Sequence, residues 1–312
     1  MDSIRTQGLT KIYGRKGTLA LEELNLHVKR GELFGFLGPN GAGKTTTIRI
    51  LMTLLRPTRG RAWVGGHDVR EEPLEAMRRV GFMPENPGFY GTMTGRQHLR
   101  YWARLYGMRK AQPDGDFGHL LERVGLADAA DRKTKAYSLG MKRRLALAGV
   151  LLPDPEVLIL DEPSLGLDPG GMAFVRSLLA DLHERGQTIF LSSHILSEVE
   201  KICTRVGVLH RGHLLQVETP RALVQALGRA SGGLEVETKG VQRNVTEELE
   251  SIEGVDQVVI EGTLLRVSGS LDDDAIAEVT RRLVAAGVAI LSSRRLEPNL
   301  EEAFLALTEG GA

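Results

Sequence analysis

Hydrophobic positions fall along the chain in short, dense runs with polar stretches between them. Residues 33–37, Leu-Phe-Gly-Phe-Leu, carry no charge and read as a strand buried on both faces. Before them, residues 4–9 and 19–28 alternate partially, as half-buried strands do, with the turn-prone Gly14-Arg15-Lys16-Gly17 between. Residues 61–64, ending at Gly65-Gly66, and residues 80–83, stopped by Pro84, add two short strands. Between Pro84 and Pro155 the period becomes helical, and helices are expected over 94–108, 116–124 and 138–152. Residues 157–161 then form a branched apolar run ending in acid, followed by further strands at 188–191 and 206–209. Strands separated by helices imply an α/β fold with a mainly parallel sheet covered on both faces. Ligands of such a sheet belong at the carboxyl ends of its strands.

The pattern changes again near residue 218. Thr219-Pro220 reads as the start of a helix running to 227, and residues 228–233 are linker-like. Beyond lie a strand at 234–238, a helix at 246–251 and strands at 255–260 and 264–267 joined through Glu261-Gly262-Thr263. A helix at 273–286, a strand at 289–292 and a helix at 300–307 follow. The order β-α-β-β-α-β predicts a small ferredoxin-like α+β sandwich. The expected division is therefore 1–220 as the main domain, 221–233 as short helix and linker, and 234–312 as an accessory domain. Within the first, 86–155 is expected to form a helical subdomain.

The buried run at 33–37 leads into Gly38-Pro39-Asn40-Gly41-Ala42-Gly43-Lys44-Thr45-Thr46, which satisfies G-x-x-x-x-G-K-[ST]. A strand before it and a helical pattern over 46–55 are the context that separates this motif from a chance glycine-rich turn. Its glycines let successive N–H groups converge on phosphate oxygens, and the helix dipole points at the same place. Lys44 is expected to reach the β- and γ-phosphates and Thr45 to ligate Mg²⁺. The second signal is Asp161-Glu162 at the end of the apolar run. Two acids there could form a solvated turn; with Lys44 upstream, Asp161 is read as an Mg²⁺ ligand and Glu162 as the base that orients water.

Composition narrows the class. At 312 residues two domains are the natural expectation, and 42% hydrophobic residues suffice for a sizeable core. Lys+Arg 40 balance Asp+Glu 40, which argues against a dedicated nucleic-acid binder. One cysteine, Cys203, excludes an internal disulfide, fits a reducing compartment and reads as core. No apolar segment follows Met1 as a secretory signal would, and the longest apolar run, 145–152, is far short of the roughly 20 residues a spanning helix needs. A soluble or peripheral protein is expected. His210 and His213 stand close but lack partners for a metal set.

Taken together these motifs resemble the ATP-binding cassette (ABC) ATPases, the nucleotide-binding subunits of transporters, over about residues 1–220. Tyr13 looks like the aromatic that stacks on adenine. Tyr137-Ser138-Leu139-Gly140-Met141 resembles the signature, normally Leu-Ser-Gly-Gly-Gln; Pro163 to Asp168 resembles the loop that crosses the dimer interface; Ser192-Ser193-His194 resembles the switch histidine on the γ-phosphate. The resemblance implies a P-loop NTPase with a RecA-like core sheet, an antiparallel β subdomain and a helical subdomain. It also implies that Ser138 and Gly140, at a helix start, receive the γ-phosphate held by a second ATPase subunit, so that two cassettes close head to tail around two ATP molecules.

This chain departs from the family at two places. Leu139 stands where the signature usually has glycine, and Glu85 where the family usually has the glutamine that touches Mg²⁺ and the attacking water. Altered metal affinity or turnover is expected from Glu85. Phe89, Tyr90 and Met93 are expected to meet a permease helix, and Leu99, Trp102 and Tyr106 to face the core. Residues 297–304 resemble the tail of bacterial export-type cassettes.

The resulting expectation is an ATPase subunit on the inner face of the cell membrane, with ATP and Mg²⁺ as cofactors, driving an integral membrane permease, with export the expected direction. A soluble cassette ATPase acting on ribosomes or nucleic acid is the alternative, disfavoured by one unsplit cassette and no basic excess. A sensor role for the C-terminal domain finds no ligand signature.

Overall fold

In the computed structural model the first residues form two long strands, β1 (Asp2–Tyr13) and β2 (Thr18–Lys29), which extend past the expected spans at both ends. Next come β3 (Leu33–Leu37), α1 (Lys44–Leu51), β4 (Arg59–Val64) and β5 (His67–Asp68). Then follow α2 (Pro73–Arg78), β6 (Val80–Met83), α3 (Gly95–Leu105), α4 (Gly118–Arg123), α5 (Leu139–Leu151) and β7 (Val157–Asp161). The unit closes with α6 (Pro169–Glu184), β8 (Thr188–Ser193), α7 (Leu196–Ile202), β9 (Arg205–His210) and β10 (His213–Glu218). The structure describes residues 2–14, 17–108, 117–228, 232–239, 245–269, 271–296 and 300–309, in two units, Met1–Thr219 and Pro220–Ala312.

In the first unit β2, β1, β4 and β5 form an antiparallel sheet, with Ile4 opposite both Val28 and Val64. The second sheet runs β10-β9-β3-β8-β7-β6, parallel except for its edge strand β10. Every residue of β3, β7 and β8 is buried, as the apolar centre of each requires of strands with both faces covered. Phe34 and Phe190 stack at 5.8 Å in the core. Because β3 and β7 are parallel and one strand apart, their carboxyl ends bring residue 38 and residues 161–162 to the same edge.

Five elements were given no span in the sequence reading: β5, α2, α6, α7 and β10. Helix α6 is instructive. Pro169-Gly170-Gly171 looks like a breaker, yet Asp168 caps the helix, its Oδ1 accepting the Gly171 N–H at 2.8 Å, with Pro169 in the first turn. The helix at 94–108 is shorter than expected, with Thr94 outside as cap in a reciprocal box with Gln97. Ser138 likewise lies outside α5 as its N-cap. The reading of 116–124 as a helix holds for 118–123; residue 116 lies outside the described residues.

The second unit contains α8 (Pro220–Gly228), β11 (Gly232–Thr238), α9 (Val245–Glu250), β12 (Val255–Glu261) and β13 (Leu264–Gly269). It continues with α10 (Asp273–Ala285), β14 (Ile290–Leu296) and α11 (Leu300–Glu309). Its sheet runs β12-β13-β11-β14 with every neighbour antiparallel, the expected β-α-β-β-α-β order. Leu234, Val236, Leu265 and Val267 from the sheet meet Leu249, Val279 and Leu283 from α9 and α10 in one core. Of the linker-like segment, Gly228 ends α8 and Gly232-Gly233 open β11, while residues 229–231 lie outside the described residues. Strand β14 outlasts its expected end because Ser292 to Arg295, polar and exposed, still pair with β11 at the sheet edge. Residues 297–299 of the tail motif lie outside the described residues.

Candidate active site

The phosphate-type loop leaves the buried end of β3 and enters α1 at Lys44. Two of its glycines are required by space. A Cβ at Gly38 would stand 2.4 Å from the Leu209 carbonyl oxygen, and one at Gly43 2.6 Å from the Ala20 carbonyl oxygen. Gly43 also sits at φ 114°, a conformation side chains resist. Ala42 is buried, while Pro39, Asn40 and Gly41 are exposed. Pro39, Asn40 and Gly41, together with Gly43, Lys44, Thr45 and Thr46, wall a cavity of about 300 Å³.

Glu85, Glu162 and His194 close the same cavity from the ends of other strands. Lys44, 7% exposed, donates from Nζ to the Gly38 carbonyl at 2.6 Å and lies 3.8 Å from Glu162 Oε1. Burial lowers its pKa, and the carboxylates of Glu162, Asp161 and Glu85 oppose that shift. The other Glu162 oxygen, Oε2, is 2.8 Å from His194 Nδ1. Glu162 is held in the left-handed region, φ 51°, with its N–H shared between the Ser192 carbonyl and Ser192 Oγ at 3.2 and 3.1 Å. Ser192 Oγ donates to Asp161 Oδ1 at 2.6 Å. Burial raises the Asp161 pKa against that hydrogen bond and the Lys44 charge. Tyr13 stands beside the cavity, its hydroxyl 3.4 Å from Thr46 Oγ1 and the Lys11 ammonium 5.3 Å from its ring.

Ser138 and Gly140 are elsewhere. They line a second cavity of about 460 Å³ with Gly166, Leu167 and Asp168, and no residue is common to the two. Ser138 Oγ accepts the Met141 N–H at 3.2 Å, while Leu139 is 52% exposed and packs on Gly166.

Two residues of the site escaped the sequence reading. Ser192, fully buried, joins Asp161 to Glu162; its signal was the Ser-Ser-His sequence, which drew attention only to the histidine. Arg143, 3% exposed, donates from Nη1 to the Glu162 carbonyl at 2.8 Å, and burial lowers its pKa against the charges of Glu85 and Glu162. In the sequence it passes for one more cation on a helix.

The aromatic assignments need correction. Leu99 is core, but Tyr106 is half exposed and, with Trp102, Phe82, Pro84 and Pro87, lines a shallow apolar groove. Phe89 is packed against the His98 and Trp102 rings, so of the loop residues Tyr90 is the exposed one. Gly149 makes room for Trp102: a Cβ there would lie 2.6 Å from its ring. Cys203 is buried as expected, and burial pushes its thiol pKa up. His213 pairs with Glu22 at 3.2 Å, and among the described residues no three His, Cys, Asp or Glu side chains gather as a metal cage.

A phosphate loop at the end of β3, an acid pair at the end of β7 and a histidine after β8 define a P-loop NTPase. Residues 21–165 match the ABC transporter family. The bacitracin transport ATP-binding protein BcrA of Bacillus licheniformis is 38% identical across 99% of this chain and 98% of its own. The daunorubicin resistance ATP-binding protein DrrA3 of Streptomyces coeruleorubidus is 38% identical across 98% and 96%. Among solved structures, CbiO1 of Clostridium perfringens, part of the ABC transporter complex CbiONQ, is 30% identical with TM-score 0.64, covering 71% of this chain and 90% of its own. The chain belongs to the ABC transporter family, as an ATP-binding, ATP-hydrolysing protein.

Proposed function

We propose that this chain is the motor subunit of an exporter, hydrolysing ATP to drive a permease carried on a separate chain at the inner face of the cell membrane. Among the described residues no helix is long and apolar enough to cross a membrane, so the cargo path belongs to that other chain. The names of BcrA and DrrA3, a transport and a resistance protein, favour export.

The observation that carries the mechanism is the separation of the two cavities. Lys44 and the loop amides would bind the phosphates of one ATP, while Ser138 and Gly140 face a different cavity. A second ATPase subunit placed head to tail would bring its Ser138 to this Lys44. Residues 1–220 would form that motor and 234–312 an accessory domain.

Within the motor, Tyr13 would stack on adenine, and Glu162 would accept a proton from the attacking water. His194 and Lys44, which lie on the two Glu162 oxygens, would turn to the γ-phosphate when ATP enters. The donors Thr45 hydroxyl, Asp161 and Glu85 are hard oxygens. They are too few for an all-protein cage, which fits Mg²⁺ shared with phosphate and water. Mg²⁺ would neutralise phosphate charge. The exposed Tyr90 and the groove at Trp102 and Tyr106 would meet a permease helix.

The test is affinity capture of tagged protein from solubilised membranes, with partners identified by mass spectrometry. One multi-spanning membrane protein in stoichiometric yield is the expected result. Ribosomal proteins or DNA, with no membrane partner, would replace this reading with that of a soluble cassette ATPase.

A further inference from the structure

The Glu162 carbonyl is a junction. It accepts the Arg143 Nη1 donor at 2.8 Å and the Leu165 N–H at 3.2 Å. Leu165 lies on the wall of the Lys44 cavity, and the next residues, Gly166 to Asp168, line the Ser138 cavity. Arg143 belongs to α5, the helix that Ser138 caps. That helix touches the 162–168 segment at its start and again one turn further on. Near its start Leu139 packs on Gly166, where an added Cβ would come within 2.8 Å of Leu139 Cδ2; one turn further, Arg143 grips the Glu162 carbonyl.

The strength of the second contact follows from its setting. Arg143 is 3% exposed and its Nε has no hydrogen-bond partner, so the buried guanidinium is not there for its own solvation. It is held where it meets a residue in the left-handed region, φ 51°. A non-glycine residue keeps that conformation only when its surroundings over-determine it. The Ser192 acceptors fix the N–H side of Glu162, and Arg143, with the local Leu165 N–H, fixes the carbonyl side.

We infer that Arg143 is a positioning residue for hydrolysis: it ties the Ser138-capped helix to the backbone of Glu162, so that a load on the Ser138 face re-aims the carboxylate. The inference rests on Glu162 being the base. Arg143 touches neither cavity, so its removal alters the aim of Glu162 while leaving the phosphate loop intact.

The experiment compares Arg143→Gln and Arg143→Lys with the native chain, measuring kcat, KM for ATP and, separately, the Kd of a fluorescent ATP analogue. Misplacing a catalytic group lowers turnover by about ten- to a hundred-fold without an equal loss of binding. Arg143→Gln is therefore expected to lose kcat on that scale, with KM and Kd within about three-fold. Arg143→Lys, which keeps a cationic donor but not the rigid fork, is expected to fall between. Native kcat in the Gln variant overturns the inference, as does a loss of binding equal to the loss of turnover, or a Lys variant no better than Gln. If Arg143→Gln does not fold, Arg143→Lys decides. Lowered kcat at unchanged Kd supports the inference; native behaviour makes Arg143 a structural cation and overturns it. Glu162→Gln is measured alongside: native turnover in that variant refutes the base assignment itself, whatever Arg143 does.

Discussion

Ser192 offers the sharpest prediction, because its hydroxyl makes two hydrogen bonds at the centre of the site. Its Oγ donates to Asp161 Oδ1 at 2.6 Å and accepts the Glu162 N–H at 3.1 Å, with Ser192 fully buried and Asp161 4% exposed. Replacing it by alanine leaves a buried carboxyl oxygen without that donor. The Glu162 N–H keeps the Ser192 carbonyl at 3.2 Å, so most of the loss falls on Asp161. A hydrogen bond to a charged group contributes about 1.5–3 kcal/mol, which for a unit of this size lowers the thermal midpoint by roughly 3–12 °C. The same energy, lost from the orientation of Asp161 and Glu162, corresponds to about a ten- to hundred-fold fall in kcat. Calorimetry on the nucleotide-free protein and steady-state ATP hydrolysis measure the two effects. A Ser192→Ala protein with native midpoint and native turnover would falsify the reasoning, since it would mean water replaces the hydroxyl without cost.

Gly43→Ala should abolish ATP binding, read by loss of fluorescent-nucleotide titration, because the new Cβ meets the Ala20 carbonyl oxygen at 2.6 Å and φ 114° is strained for alanine. Tyr13→Ala should raise the Kd for ATP by about ten-fold, the scale of one stacking contact, with kcat at saturation little changed; equal affinity would remove Tyr13 from the adenine site. His98 predicts a pH dependence. It is fully buried, its Nε2 accepts the Tyr90 N–H at 3.0 Å, and Nδ1–H donates to the Thr94 carbonyl at 2.9 Å, so the fold needs the neutral ring. Burial lowers its pKa below the ordinary 6.5. The unfolded chain therefore takes the proton first as pH falls: the stabilisation is whole above 6.5 and is lost as pH drops through the lowered value. Thermal midpoints between pH 7.5 and pH 5 should fall more in the native chain than in His98→Gln, and parallel curves would exclude His98 as the cause.

Much of this protein is written locally. Residues 33–37 and 157–160 carry no polar side chain because strands covered on both faces have no solvent side, and that alone placed β3 and β7. The loop from Gly38 to Thr46 is legible because its chemistry is carried by contiguous backbone, where glycine spacing is itself the signal. The β-α-β-β-α-β order of the second unit followed from hydrophobic period and turn residues in the same way. What escaped is what depends on residues distant in sequence. Helix α6 is the local exception: Pro169-Gly170-Gly171 looks like a break until the cap by the neighbouring Asp168 is seen. Edge strand β10 and the polar end of β14 beyond Ser292 show little hydrophobic signal, since their exposed positions alternate with or outnumber the half-buried ones. Tyr106 sits at helical spacing from Trp102, yet which of the two faces the core depends on where Gly149 of α5 arrives. Arg143 and Ser192 acquire a role only because β7, β8 and the start of α5 converge on Glu162. Sequence thus determined the elements and the phosphate loop, where neighbours along the chain carry the physics. Tertiary structure decided the aim of the carboxylate and the separation of the two cavities, because hydrogen bonds across 19 and 30 residues exist only once the sheet has formed.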